Sequence, residues 1–190
     1  ELGNILVGNF NGEAALEFTQ KAGVYEFLDD CIIAVAGADF GFYLNDEPME
    51  RFKTYFATKG SILTDTGAKS GYRAYLCVSG GIDVCSELGS RSTFVRGGIG
   101  GYCGRRLKSG DLLKTAGNRY FFKGSMRLSK SQIPDFSTNR IRIIPSVRME
   151  DIENFLNVKY YVSMDIDRMG VRLKNSEQRV SVGGYDVVTE

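Results

Sequence analysis

Hydrophobic positions along this chain recur mostly with a period of two. Tyr72, Ala74, Leu76 and Val78 alternate with their neighbours, which predicts a strand with those four on one face. Arg140-Ile-Arg-Ile-Ile144 alternates in the same way, and Lys159-Tyr-Tyr-Val-Ser-Met164 is rich in strand-forming residues. The run Cys31-Ile-Ile-Ala-Val-Ala36 is apolar throughout and ends in Gly37, the pattern of a buried strand followed by a turn. Asn45-Asp-Glu-Pro48 and Ser109-Gly-Asp111 read as tight turns between short strands. Many short alternating runs and 23 glycines predict a mainly β chain, a sandwich or a barrel.

Helical spacing is scarce. Ser146 can cap a short helix in which Met149, Ile152, Phe155 and Leu156 share a face, and Ser86-Glu-Leu88 can make one turn before Gly89. The stretch from Lys114 to Arg140 is polar and irregular, with Asn118, Lys123, Ser125, Ser129, Lys130 and Ser131. It reads either as a subdomain boundary or as a solvated loop. Two β-rich portions are expected, residues 1–115 and 116–190.

Composition changes the picture mainly by exclusion. The 190 residues are 43% hydrophobic and 25% charged, as in ordinary globular chains. A formal charge of +1 removes the electrostatic warrant for nucleic acid or an anionic membrane as partner. No apolar run approaches the ~20 residues that span a bilayer. Histidine is absent, so this chain alone supplies no Ser-His-Asp triad, Cys-His pair or imidazole acid–base. Cys31, Cys77, Cys85 and Cys103 form no C-x-x-C pair, so neither a zinc ribbon nor a thioredoxin-type site is predicted, and no metal is expected. Cys31 reads as a small buried hydrophobe. Reduced cysteines, with no secretory leader and no N-x-S/T sequon, point to a cytoplasmic address.

Candidate chemistry concentrates between Gly80 and Gly104. Gly80-Gly81-Ile82-Asp83 is followed by Gly89-Ser90-Arg91-Ser92-Thr93 and then by Gly97-Gly98-Ile99-Gly100-Gly101-Tyr102-Cys103-Gly104. Glycine admits positive φ and close ligand approach, and consecutive N–H groups can make an anion-binding nest. Ser90, Ser92 and Thr93 add hydroxyls, and the Arg91 fork suits a carboxylate or phosphate. Two readings stand: recognition of a small anion, or glycine-rich β-turns with an arginine paired to a nearby acid. The glycines do not fit G-x-G-x-x-G, and the absence of any Gly-Lys dipeptide excludes a P-loop. A second cluster is Ser163-Met-Asp165-Ile-Asp167-Arg168-Met169-Gly170-Val-Arg172-Leu173. Its paired carboxylates suit acid–base work or a divalent cation, or else neutralise the arginines in a charged turn. Asn4-Ile-Leu-Val-Gly-Asn9 reads as an element end running into a turn, with no chemistry of its own.

In order and spacing these segments resemble one family. Leu6-Val-Gly-Asn9 with Ala14-Ala-Leu-Glu17 is followed by Ala36-Gly-Ala-Asp39, Gly71-Tyr-Arg-Ala-Tyr-Leu76 and Gly80-Gly-Ile-Asp83. Leu88-Gly-Ser-Arg-Ser-Thr93, Gly104-Arg-Arg-Leu-Lys-Ser-Gly-Asp-Leu112 and Asp167-Arg-Met-Gly-Val-Arg-Leu173 complete the series. From about Leu6 to Leu173 the chain resembles the allophanate-hydrolase-subunit-2 family. This is also the biotin-dependent carboxyltransferase subdomain A and B family, which includes the C-type subunit of bacterial 5-oxoprolinase. It departs from the pattern at Cys85, where proline is common, and at Val171, where an aromatic residue often stands.

The resemblance implies a cyclophilin-like β-barrel with few short helices. It implies a partner of the allophanate-hydrolase-subunit-1 type, and a role in ATP-dependent opening of 5-oxoproline to glutamate, with ATP used by the assembled complex. Two alternatives follow from the same family. One is a regulatory protein that antagonises a sensor-kinase inhibitor. The other is part of a urea-carboxylase-like carboxyltransferase, for which biotin would be the cofactor. Carried onto this sequence, the pattern marks Arg91, Asp167 and Arg168 as catalytic, and Gly80, Gly81, Asp83, Ser90, Ser92 and Thr93 as binding a small amide or carboxylate. It also implies a longer, two-subdomain protein, an expectation with which Glu1 in place of Met agrees.

Overall fold

A computed structural model describes residues 1–117, 124–135, 141–144, 152–166 and 170–175. The chain divides into two compact units, Glu1–Phe136 and Ser137–Glu190.

The first unit is built on two antiparallel sheets. One has the order β1 (Leu16–Thr19), β8 (Ser70–Val78), β3 (Cys31–Asp39) and β6 (Thr54–Ala57). The other runs β2 (Tyr25–Glu26), β7 (Ile62–Asp65), β4 (Phe42–Leu44) and β5 (Glu47–Pro48). Side chains alternate across a strand, so the apolar run at 31–36 feeds two cores at once. Cys31, Ile33 and Val35 join Phe18, Ala74, Leu76 and Val78 of the first sheet and Phe42, Leu44 and Leu63 of the second. Phe18 and Phe42 meet across this core with ring centroids 5.9 Å apart. On the opposite face, Ile32, Ala34, Ala36 and Cys77 are covered by Leu6, Val7 and Phe52, with Leu128 and Ile133 at the edge. A strand covered on both faces has no polar position to alternate with, which is why 31–36 reads as a continuous apolar run.

The helix that covers this outer face, α1 (Leu2–Leu6), is very short and approaches closely because of Gly3. A Cβ added there would lie 2.6 Å from the Cys77 sulfur and 3.3 Å from the Ala36 Cβ. Burial pushes the thiols of Cys31 and Cys77 up to about 11, with Asp30 and Asp29 adding to the effect at Cys31. Both therefore remain protonated packing groups, the role expected of Cys31. Beside α1, a hollow of about 160 Å³ is lined by Leu6, Val7, Gly8, Ile32, Thr54, Gly124 and Met126. None of these carries a titratable side chain.

Mainly β architecture with few short helices matches the sequence expectation, but four local readings need correction. The strand does not stop at Gly37. It continues to Asp39 through an irregularity at Gly37, whose φ of 88° permits contact with the Arg73 carbonyl, 2.6 Å from where a Cβ would sit. Ser86-Glu-Leu88 is not a helical turn. Leu88 and Gly89 take positive φ, and Glu87 and Ser90 exchange backbone hydrogen bonds of 2.8 and 2.9 Å, making a tight hairpin turn. Ile141–Ile144 forms no strand and is exposed, because no ladder among the described residues accepts it; Arg140 lies outside them. Ser109–Asp111 is a turn, but no named strand flanks it. By contrast, Asn45 and Asp46 take positive φ between β4 and β5, as expected of a hairpin.

Part of the polar stretch after residue 114 returns to the first sheet. Thr54 donates its N–H to the Met126 carbonyl (2.8 Å), Leu128 donates to Phe52 (3.0 Å), and the Thr54 hydroxyl accepts from the Met126 N–H (2.7 Å). The one-turn 3₁₀ helix Lys130–Gln132 follows, capped reciprocally by Ser129 and Gln132. In the second unit α2 (Ile152–Asn157) precedes a hairpin of β9 (Tyr160–Ile166) and β10 (Val171–Asn175). Ile152, Phe155 and Leu156 fall in this helix, where the Phe155 ring packs on Tyr160 at 4.9 Å, while Ser146 and Met149 lie outside the described residues.

After β8 the chain is held by turns rather than ladders. Arg105 grips Asp111 through two hydrogen bonds of 2.7 and 2.8 Å and lies over the Tyr102 ring, while Asp111 also accepts the Lys108 N–H at 2.7 Å. The Arg105 hydrogen bond, then the Lys108 amide, hold the Asp111 carboxyl down to about 2.

Two consequences are measurable. A Gly3→Ala substitution gains ~1 kcal/mol of helix propensity but forces α1 off the sheet, so a net loss of about 1–3 kcal/mol is expected in denaturant unfolding. Adding Cys77→Ala should recover part of that loss; additive effects of the two changes would contradict the packing described. The Asp111 carboxyl is depressed in the folded state, so its contribution holds above the ordinary carboxylate range and fades as pH falls from about 4 through about 2. Hydrogen exchange at the Lys108 amide should therefore lose protection over that interval, and lose it already at neutral pH in Asp111→Ala.

Candidate functional site

The sequence places its candidate residues immediately after β8, and the structure shows what fixes that turn. Val78 ends the strand, and its carbonyl accepts both the Gly81 N–H (2.9 Å) and the Asn9 side-chain amide (2.8 Å). The Asn9 oxygen in turn accepts the Gly80 N–H at 2.7 Å. Its amide also reaches the oxygen of the buried Asn4 at 2.9 Å. Leu6-Val-Gly-Asn9 thus tethers α1 to the Gly80–Gly81 turn. Gly80 takes a φ of 87° and packs directly on the Gly117 backbone, where a Cβ would collide. Only glycine fits there.

Four successive N–H groups of this turn, which could have made an anion-binding nest, already have acceptors. Gly80 donates to Asn9 and Gly81 to Val78. Ile82 donates to Ala14 (3.0 Å) and Asp83 to Lys114 (2.8 Å). The turn therefore contributes shape rather than donors. The Asp83 side chain is exposed.

Glu13, which no sequence motif singles out, sits at the centre. Its backbone is fixed from both sides: its N–H donates to Phe10 (3.3 Å), and its carbonyl accepts the Asn4 amide (2.8 Å). Its carboxylate lies against Gly81, so close that a Cβ on that glycine, whose φ is 71°, would be 2.9 Å from Oε2. The same carboxylate binds the guanidinium of Arg91. Side-chain exposures of 38% for Arg91 and 14% for Glu13 put the pair at the surface with the acid on the inner side. Gly80, Gly81 and Arg91 are thus brought together through an acid far upstream. The only sequence signal for Glu13 is its place between Asn9 and the Ala14-Ala-Leu-Glu17 pattern. The arrangement matches the second of the two readings open for this segment, an arginine paired to a nearby acid.

Glycines of the following loop serve mostly its own packing. A Cβ on Gly100 would strike the Ser92 carbonyl, one on Gly101 the Thr93 hydroxyl, and one on Gly104 the Gly98 carbonyl. Phe94 and Ile99 pair as a small bridge, and Glu87 accepts the Gly100 N–H at 3.1 Å. Ser90 uses its hydroxyl to accept the Ser92 N–H at 3.1 Å, while Thr93 is half-buried under Gly101. The loop therefore folds on itself and presents Arg91 from a fixed base. Asp167, Arg168 and the Asp165 side chain lie outside the described part of the chain. Among the described residues no group of three or more Cys, Asp or Glu forms a metal-ligand cluster, and no helix is long and apolar enough to cross a membrane.

Relatives of this chain include enzymes and an enzyme subunit. The chain is 32% identical to the C-type subunit of the 5-oxoprolinase of Haemophilus influenzae over 179 residues, covering 90% of this chain and 56% of that protein. It is also 32% identical to the urea amidolyase of Lachancea kluyveri over 197 residues, covering 90% of this chain but 10% of that one. The chain thus spans a tenth of the one relative and just over half of the other. Among solved structures it superposes on the urea amidolyase of Kluyveromyces lactis with a TM-score of 0.79 at 35% identity, covering 92% of this chain and 12% of that one. The urea carboxylase of Kluyveromyces lactis gives 0.78 at 35% identity, over 92% of this chain and 17% of that one. The family model described as "Carboxyltransferase domain, subdomain A and B" matches residues 1–189, and to that family this chain belongs.

Proposed function

We propose that this chain works as one subunit of an ATP-dependent complex that opens 5-oxoproline to glutamate beside a subunit-1-type partner. The observation that carries the reading is Arg91, a cation held at the glycine turn in a chain akin to a 5-oxoprolinase subunit. 5-Oxoproline carries one carboxylate next to a lactam, and a guanidinium fork is the natural receptor for it. Ser90, Ser92 and Thr93 flank Arg91 and add hydroxyls for the substrate's polar edge. Gly80 and Gly81 give the adjoining turn its shape, and Asp83, exposed two residues on, would meet the lactam N–H.

Lactam hydrolysis breaks the ring C–N bond and leaves a second carboxylate and an amine. Negative charge builds on the carbonyl oxygen, where a guanidinium or N–H donors would stabilise it. With no histidine in the chain, a proton acceptor has to be a carboxylate, a lysine or a group of the partner. Asp167 and Arg168 keep the catalytic assignment that the family pattern gives them. A triphosphate finds no cradle in the Gly80–Asp83 turn, because its N–H groups are engaged internally. ATP is used by the assembled complex.

A second reading is favoured by the family description and the urea amidolyase likeness: a carboxyltransferase part, in which Arg91 would face a carboxyl group in transfer. Biotin would be its cofactor. Beyond that one cation the described residues offer biotin no distinguishing feature.

Purified with its partner subunits, the complex should release glutamate from 5-oxoproline in an ATP-dependent way and lose that activity when this chain is omitted. Arg91→Ala should lower kcat/KM about 10–100-fold, the ~1.5–3 kcal/mol of a hydrogen bond to a charged group. Glutamate release without this chain would overturn the reading, and ATP turnover stimulated by urea and bicarbonate instead would favour the second.

A further inference from the structure

We propose that Glu13 is the positioning residue of Arg91, setting where its guanidinium stands over the Gly80–Gly81 turn; this rests on the anion-binding reading of Arg91 given above. Three independent restraints converge on Glu13. Its carbonyl is held by the Asn4 amide at 2.8 Å, its N–H by Phe10, and its carboxylate is seated on Gly81. Asn4 is itself buried and bonded to Asn9, which fixes the Gly80 N–H. The Glu13 backbone and the turn are thus braced by the same pair of asparagines.

Arg91 is braced quite differently. It follows the tight Glu87–Ser90 turn, and its side chain is more than a third exposed. An exposed arginine has several rotamers of similar energy, and ordering them costs side-chain entropy. Glu13 selects one of them before any ligand arrives. Glu13 binds through one guanidinium nitrogen, Nη1. A planar fork of five N–H donors retains further donors for a carboxylate beyond that contact. Glu13 makes no claim on the reacting atoms and is not a catalytic residue.

Two measurements test this together. In the assembled complex, with 5-oxoproline as substrate, Glu13→Ala should lower kcat/KM about tenfold or more. Glu13→Gln, which keeps an acceptor but loses the charge, should fall less far. The Glu13→Ala/Arg91→Ala double variant should be no worse than Arg91→Ala alone, because a positioning residue has nothing to position once the arginine is gone. Multiplicative losses, or a gain of activity in Glu13→Ala, would overturn the inference; a gain would mean that the acid blocks the arginine rather than aims it.

The second measurement needs no substrate. ¹⁵N-arginine spectra of this chain should include a slowly rotating guanidinium that belongs to Arg91, assigned by its disappearance in Arg91→Lys and lost in Glu13→Ala. An unchanged signal in Glu13→Ala overturns the inference. If the wild-type complex does not turn over 5-oxoproline, the functional reading falls, while the arginine spectrum still decides whether Glu13 holds Arg91.

Discussion

The antiparallel pairing of β3 with β8 is the constraint on which the rest of the first unit depends. Both strands are nine residues long and occupy the centre of their sheet. Strand register is usually enforced by polarity, since a one-residue slip throws an apolar face into water. That mechanism is weak here, because the 31–36 stretch of β3 is apolar on both faces. Size takes its place. The inner face carries Ile33 and Val35 against phenylalanines, whereas the outer face offers Ala34 and Ala36 to a helix that comes close through Gly3. A slip would bring Ile33 and Val35 under α1, where no space exists for them.

From this pairing the site follows by short steps. β8 delivers Val78 to a fixed point, and the Val78 carbonyl is shared between its own turn and Asn9. α1, seated on the outer face, delivers Asn4 and Asn9 to the same point. Those two asparagines fix Gly80 on one side and the Glu13 backbone on the other. Arg91 arrives last, on a loop whose internal packing uses up its glycines. The candidate site is therefore as well located as the core that supports it, although every residue in it lies outside the strands.

The core is legible in the sequence because burial leaves a periodic trace. Residues 72–78 and 31–36 show it, whereas 159–164 in the second unit is legible through its strand-forming residue types. The same trace misleads at Ile141–Ile144, where alternation occurs without a strand among the described residues to receive it. Ser86–Leu88 misleads differently, because Leu88 adopts a left-handed conformation that no composition rule anticipates. Arg91 and the glycine turn are legible as chemistry because their residue types are unusual together. Glu13 is not, since an acid gains its meaning from a partner 78 residues away. Likewise Asn4 and Asn9 look like turn residues in sequence, and only the fold reveals that they brace two other segments.

Magnitudes help to separate what the Glu13–Arg91 pair does for the fold from what it does for chemistry. An ion pair with a third of its cation exposed contributes ~0–1 kcal/mol to stability. Yet a glycine at 81 and two asparagines, one of them buried, are arranged around its acid. Stability alone does not account for that arrangement. Holding one guanidinium in one place does, because a receptor ordered in advance loses less entropy when its ligand binds.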